Sequence, residues 1–320
     1  VPGPIRIAVL DDYQGVAGRA VDWTDVQGGA EVSVLREHLG TAEEVLAALA
    51  PFDVVVAMRE RTRFDEAVLS ALPSLRLLVT TGRANSAIDL AAASRAGVVV
   101  SSGASGGTTG AAELTWALIL AALRHLPEED RSVREGGWQR TIGGDLAGRR
   151  LGLLGLGAIG SRVARVGAAF GMDVVAWSPH LDTERAVAAG ASAVSKEELL
   201  ATSDVVSLHA RLTPGSRGLI GEDELAAMKP TALLVNTARS ALVDGPALLD
   251  ALHRGALGGA ALDVHDEEPL PSDSPWRSAP RTVLSPHLGY VTEDTYRRFF
   301  ADSLECIRAW VSGAPIRVLG

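Results

Sequence analysis

The 320-residue sequence predicts an α/β protein made of two doubly wound parallel-sheet domains. Three observations predict it. Short apolar runs rich in valine, isoleucine and leucine alternate with helix-like segments along nearly the whole chain. The alternation breaks once, near residues 101–110, and then restarts. A glycine turn of the form G-x-G-x-x-G opens the second stretch, not the first. Continuous apolar strands joined by helices imply sheets covered on both faces.

The elements follow in order. The runs "IRIAVL" (5–10), "EVSVL" (31–35), "DVVVAM" (53–58), "LRLLVT" (75–80) and "GVVVS" (97–101) read as strands. "TAEE" (41–44) is a capping box that starts one of the intervening helices. The bend "SSGASGGTTG" (101–110) ends this series. A long helix, "AAELTWALILAALRHL", follows and stops before Pro127; residues 127–148, with Trp138, read as polar and irregular. Strands are expected again at 150–155, 173–177, 204–208, 231–236, 259–264 and 282–284. "SKEE" (195–198) is a second capping box, and "DGP" (244–246) suits a helix start. An amphipathic helix over about 293–311 comes after the second sheet is complete, so it is expected to return to the first domain. The expected division is 1–103 with 293–320, and 104–292.

The bulk numbers narrow the function. Hydrophobic residues make up 47% and charged residues 22%, ordinary values for a soluble globular protein. No apolar run is long enough to span a bilayer. "VPGPIRIAVL" enters a strand without the pattern of an export signal, and the single cysteine, Cys306, forms no intrachain disulfide. A cytoplasmic location is the expectation. The net charge of −9 argues against nucleic acid as a partner, and no cysteine-built zinc site is possible. No metal is expected.

Gly155, Gly157 and Gly160 form the glycine turn, after "RLGLLG" and before "SRVARVGAAF". That strand–turn–helix setting is what binding a dinucleotide requires. The first glycine permits the tight turn, the second lets backbone approach a pyrophosphate, and the third lets helix and strand pack. Ala158 and Ile159 open the helix, whose free N–H groups face the phosphates. The next strand ends at Ser178, where a carboxylate would normally select the ribose hydroxyls and reject a 2′-phosphate. Asp173 is at the wrong end, and His180 and Arg185 are the nearest basic residues. NAD and NADP both stay open, with NAD the first expectation.

Three late segments, "VNTARSALVD" (235–244), "ALDVHDEEPL" (261–270) and "SPHLGY" (285–290), each follow an expected strand. They offer an arginine, acids and a histidine at the edge where open α/β sheets bind ligands. In this order, with "GLGAIG" ahead of them, the motifs resemble the D-isomer-specific 2-hydroxyacid dehydrogenase family, which includes phosphoglycerate, glyoxylate/hydroxypyruvate and D-lactate dehydrogenases. The resemblance covers nearly the whole chain. It implies a flavodoxin-like substrate domain and a Rossmann cofactor domain with a cleft between them, and an NAD(P)-dependent interconversion of a 2-oxo acid and a D-2-hydroxy acid.

Carried over by position, Arg239 is similar to the family's substrate arginine, His287 to its acid/base histidine and Glu268 to the carboxylate that orients the histidine. His265 is the rival histidine and Glu267 the rival acid. The expected cofactor side comprises Gly155, Gly157, Ala158, Ile159, Gly160, Ser178, His209, Ala210, Thr237, Ala238, Asp263 and Gly289. The expected substrate side comprises Arg59, Gly82, Arg83, Arg239 and His287; Arg61 and Arg63 are expected to be solvated or paired with Glu60 and Asp65. Glu268 argues against formate as substrate, because formate dehydrogenases of the superfamily carry glutamine there.

"AAELT" (111–115) is similar to the phosphoglycerate dehydrogenase branch. The chain ends at Gly320, so no appended regulatory domain is expected. The long helix and the 127–148 arm imply a homodimer through the cofactor domain, with Trp116 and Trp138 either anchoring it or packing internally. The alternative function is a non-catalytic, corepressor-like dinucleotide sensor on the same fold.

Overall fold

The computed structural model describes residues 4–83, 85–104 and 106–320. Ser105, inside the bend, and Ala84, inside the second arginine loop, lie outside the described residues. Contacts divide the chain into two compact units: Val1–Gly107 with Thr292–Gly320, and Thr108–Val291.

The first unit holds β1 (Ile5–Val9), β2 (Ala30–Val34), β3 (Val54–Ala57), β4 (Leu77–Thr80) and β5 (Val99–Ser102). They form a parallel five-stranded sheet in the order β2-β1-β3-β4-β5, the flavodoxin-like order. Strands β3 and β4 are buried at every residue, which is why they read as unbroken apolar runs. Thr41 and Glu44 form the capping box of the helix Ala42–Leu49. The final helix, Glu293–Val311, packs Phe299, Phe300, Leu304 and Ile307 into this unit.

The second unit holds β6 (Arg150–Leu154), β7 (Asp173–Trp177), β8 (Ser192–Ala193), β9 (Val205–Leu208), β10 (Leu233–Asn236), β11 (Gly259–Leu262) and β12 (Thr282–Leu284). The sheet is parallel, in the order β12-β11-β10-β9-β6-β7-β8. Alternate side chains feed two cores. Leu151, Leu153, Leu233 and Val235 pack with Trp116, Ile119 and Val163. Leu154, Val206, Leu234 and Leu262 pack with Leu199, Leu248 and Leu252 on the other face. Strand order reverses between β6 and β9, so the loops after these two strands flank the switch point.

Several expectations are corrected. Residues 127–148 are not wholly irregular: a helix, Leu126–Arg134, begins where the long helix Thr109–Leu123 has ended. Pro127 sits in its first turn, where no N–H is needed, with Glu128 and Glu129 at the positive end and Arg131 and Arg134 at the negative end. Strand β8 was not expected, because two residues carry no period. Ser195 caps the helix Lys196–Thr202 by accepting from the Glu198 N–H, but Glu198 turns to Arg150 at 3.8 Å, so the box is half made. Trp116 belongs to the core, 5.1 Å from the Phe170 ring, whereas Trp138 is 72% exposed.

Candidate functional site

The glycine turn leaves β6 at Gly155, whose φ of +103° suits only glycine. A Cβ there would lie 2.7 Å from the Ala210 amide nitrogen. A Cβ on Gly160 would run into the Gly155 carbonyl oxygen, so this helix residue packs directly on the turn. Gly157 caps the helix Ala158–Ala169 and has open space where a side chain would sit. A bare backbone, free helix N–H groups and open space beside them fit a pyrophosphate.

The walls of this turn follow from neighbouring strands. His209, just after β9, donates its N–H to the Leu154 carbonyl at 2.8 Å. Its ring nitrogen Nε2 meets Ser207 Oγ at 2.9 Å, and burial pushes its pKa down to about 4. Ser178 follows β7, half-buried, with no carboxylate at that strand end. Asp173 is at the start of β7 and is paired with Arg150 at 2.6 Å.

After β10 the chain makes a tight, internally bonded loop. Asn236 accepts from the Ala238 N–H at 3.0 Å and donates to the Arg239 carbonyl at 2.9 Å. Thr237 meets Thr115 of the long helix, oxygen to oxygen, at 2.8 Å. The Thr115 hydroxyl donates to the Ala111 carbonyl, so Thr237 supplies the proton of that contact. Arg239 is half-buried and donates to the Ala238 carbonyl at 2.7 Å.

The loops after β11 and β12 form one network. His287 Nδ1 lies 2.6 Å from Glu268 Oε2, and the ring stands edge-on to Tyr290 at 5.3 Å. Glu268 Oε1 accepts the His265 N–H at 2.9 Å. Burial pushes the Glu268 carboxyl up. The His287 hydrogen bond and charge and the His265 N–H more than offset this, so it lies below the usual carboxylate value. Asp263 is fully buried and accepts from Ser285 Oγ at 2.5 Å, Leu288 N at 2.7 Å and Gly289 N at 2.9 Å. Burial raises its pKa. These bonds hold the turn that carries His287 at a φ of +53°.

In the first unit Arg59 also has a left-handed backbone, φ +55°. Its N–H donates to Thr81 Oγ1 at 2.9 Å, its carbonyl accepts from Asn85 Nδ2 at 2.5 Å, and its guanidinium packs against Gly82. Arg83 is exposed and donates to the Ala104 carbonyl at 2.9 Å. Arg63 pairs with Asp65 at 3.4 Å, and Arg61 donates to the Asp11 carbonyl at 2.6 Å while lying over the Tyr13 ring.

Thr115, Asn236, Ser285 and Asn85 are supporting residues to which the sequence reading assigned no role. Asn236, Ser285 and Thr115 lie inside quoted motifs, but the part each plays becomes visible only through its partners. A cavity of about 1070 Å³ in the second unit lies at the opposite edge of the sheet from His287, beside Arg131, Arg140 and Gly258.

The glycine turn at the switch point and the histidine–carboxylate couple lie on the same sheet edge, an arrangement that defines a dinucleotide-binding α/β protein. More narrowly, the chain belongs to the D-isomer specific 2-hydroxyacid dehydrogenase family: residues 116–289 match the model of that family's NAD binding domain. It is 42% identical over 260 residues to glyoxylate reductase from Aeropyrum pernix, covering 78% of each chain. It is 35% identical over 300 residues to D-3-phosphoglycerate dehydrogenase from Synechocystis, covering 93% of this chain and 54% of the relative. The chain thus spans about half the length of that curated relative. The crystal structure of phosphoglycerate oxidoreductase from Vibrio cholerae o395 matches with a TM-score of 0.92 at 38% identity, covering 97% of this chain and 100% of that one.

Proposed function

We propose that the chain is an NAD(P)-dependent oxidoreductase that interconverts a 2-oxo acid and a D-2-hydroxy acid. The observation that carries this reading is the 2.6 Å contact between His287 Nδ1 and Glu268, on the same sheet edge as the glycine turn. The nicotinamide supplies the hydride when bound. Reducing a carbonyl also needs a proton on oxygen, and His287 delivers it from Nε2, the nitrogen Glu268 does not hold. Glu268 stays ionised and stabilises the protonated ring. Arg239 binds the substrate carboxylate and polarises the carbonyl. In the reverse direction His287 acts as base.

In this reading Gly155, Gly157, Ala158, Ile159, Gly160, Ser178, His209, Ala210, Thr237, Ala238, Asp263 and Gly289 form the cofactor side. Arg59, Gly82 and Arg83 belong to the substrate side. The first unit is the substrate domain and the second the cofactor domain. A second copy of the chain covers the arm, where Leu126, Val133, Trp138 and Ile142 are exposed apolar residues on one short stretch. NADH and NADPH oxidation against glyoxylate, hydroxypyruvate, phosphohydroxypyruvate, pyruvate and oxaloacetate tests the reaction. Turnover with any of them supports it, and coenzyme binding without turnover across the panel favours a sensor.

A further inference from the structure

We propose that His265 is a positioning residue for the His287–Glu268 couple: its imidazole staples the loop that carries Glu268 to the strand end that carries His287. The proposal rests on the reading of His287 as the acid/base group.

His265 is buried, 9% exposed, three residues before Glu268. It touches the couple from both sides. Its backbone N–H donates to Glu268 Oε1 at 2.9 Å. Its Nε2 lies 3.1 Å from the carbonyl oxygen of Ser285, two residues before His287. A carbonyl only accepts, so the hydrogen-bond network assigns the proton to Nε2. The ring therefore fixes the spacing between the two loops, and the amide fixes the Glu268 oxygen that His287 does not use.

The two carboxylate oxygens are thus divided: Oε1 takes the amide, and Oε2 is left to His287 at 2.6 Å. Without the staple, Glu268 keeps its charge but loses the constraint that aims it. Nδ1 of His265 is buried and has no hydrogen-bond partner among the described residues. The ring also lines a cavity of about 20 Å³ shared with Asn236, Ser240, Asp266 and Trp276, room for one water. With one ring nitrogen bonded to the Ser285 carbonyl, the imidazole acts on the couple through position.

Three variants separate the staple from simple packing. His265→Phe keeps a ring and loses the donor. His265→Asn is polar but too short to reach Ser285. His265→Gln places an amide N–H at a similar reach. The substrate-free readout is the downfield proton resonance of the short His287–Glu268 hydrogen bond, assigned by its absence in His287→Ala. The second readout is kcat for 2-oxo acid reduction. The resonance should weaken and move upfield in the Phe and Asn variants, with kcat down about tenfold and coenzyme affinity unchanged, and Gln should restore both. If the Phe variant fails to fold, the Asn–Gln pair makes the comparison. A wild-type resonance and kcat in whichever donor-less variants fold, or a Gln variant that behaves like them, overturns the proposal. A wild-type protein that shows the resonance but reduces no 2-oxo acid counts against the reaction and leaves the staple standing.

Discussion

Glu268→Gln should cost activity through two bonds at once. The carboxylate accepts from two donors, His287 Nδ1 at 2.6 Å and the His265 amide at 2.9 Å. Glutamine has one accepting end. If it faces His287, its NH2 group faces the His265 N–H, donor against donor. A hydrogen bond to a charged group contributes about 1.5–3 kcal/mol. The side chains are 21% and 30% exposed, so water screens the pair only in part. Taking about 2 kcal/mol, and about 1.36 kcal/mol per factor of ten, kcat/KM for 2-oxo acid reduction should fall about 30-fold. Steady-state NADH or NADPH oxidation measures it, with coenzyme Kd from fluorescence as the control. A kcat/KM within twofold of wild type, or a matching rise in coenzyme Kd, would refute the reasoning.

Four further outcomes are expected. Gly160→Ala should lose coenzyme affinity and melt at lower temperature, since its Cβ meets the Gly155 carbonyl; both are read by titration and thermal unfolding. Thr115→Val should strip the acceptor from Thr237 and raise the substrate KM more than it lowers thermal stability, because that contact braces the Arg239 loop. Glu268 is held below its ordinary value in the folded state, so it adds stability that is present above the unfolded carboxyl value and is lost as pH falls through the folded one. Urea unfolding should therefore show the wild-type advantage over Glu268→Gln at pH 7 and its disappearance in strong acid. Trp138→Asp with Ile142→Asp should shift the mass seen by light scattering from dimer to monomer while each monomer stays folded, both side chains being exposed.

Much of this was legible because the chemistry is written in short, local patterns. The central apolar runs read as parallel strands since β3, β4, β9, β10 and β11 are buried at every residue, and the glycine turn read as such because backbone contact forbids a side chain at Gly155 and Gly160. The pairing of His287 with Glu268 was expected from the resemblance, and the geometry brings them to 2.6 Å. What stayed hidden depends on distant partners or on context. Pro127 looked like a terminator, yet proline also suits a first turn, and only the surrounding charges show which role it takes. Thr115 sits mid-helix and is 122 residues from Thr237, a separation no period reveals. His265 resembled a rival of His287 because sequence shows residue type and not which carbonyl a ring meets. The place of Arg61 over the Tyr13 ring was not legible, because the two residues are far apart in sequence.

The most direct measurement is the rate of coenzyme oxidation with a turned-over 2-oxo acid by wild type and His287→Ala, alongside coenzyme Kd for both. General acid catalysis contributes about 10²- to 10⁴-fold, so the variant should lose at least a hundredfold in kcat with Kd unchanged. A variant that keeps turnover within a few-fold of wild type would contradict the assignment of the proton to His287.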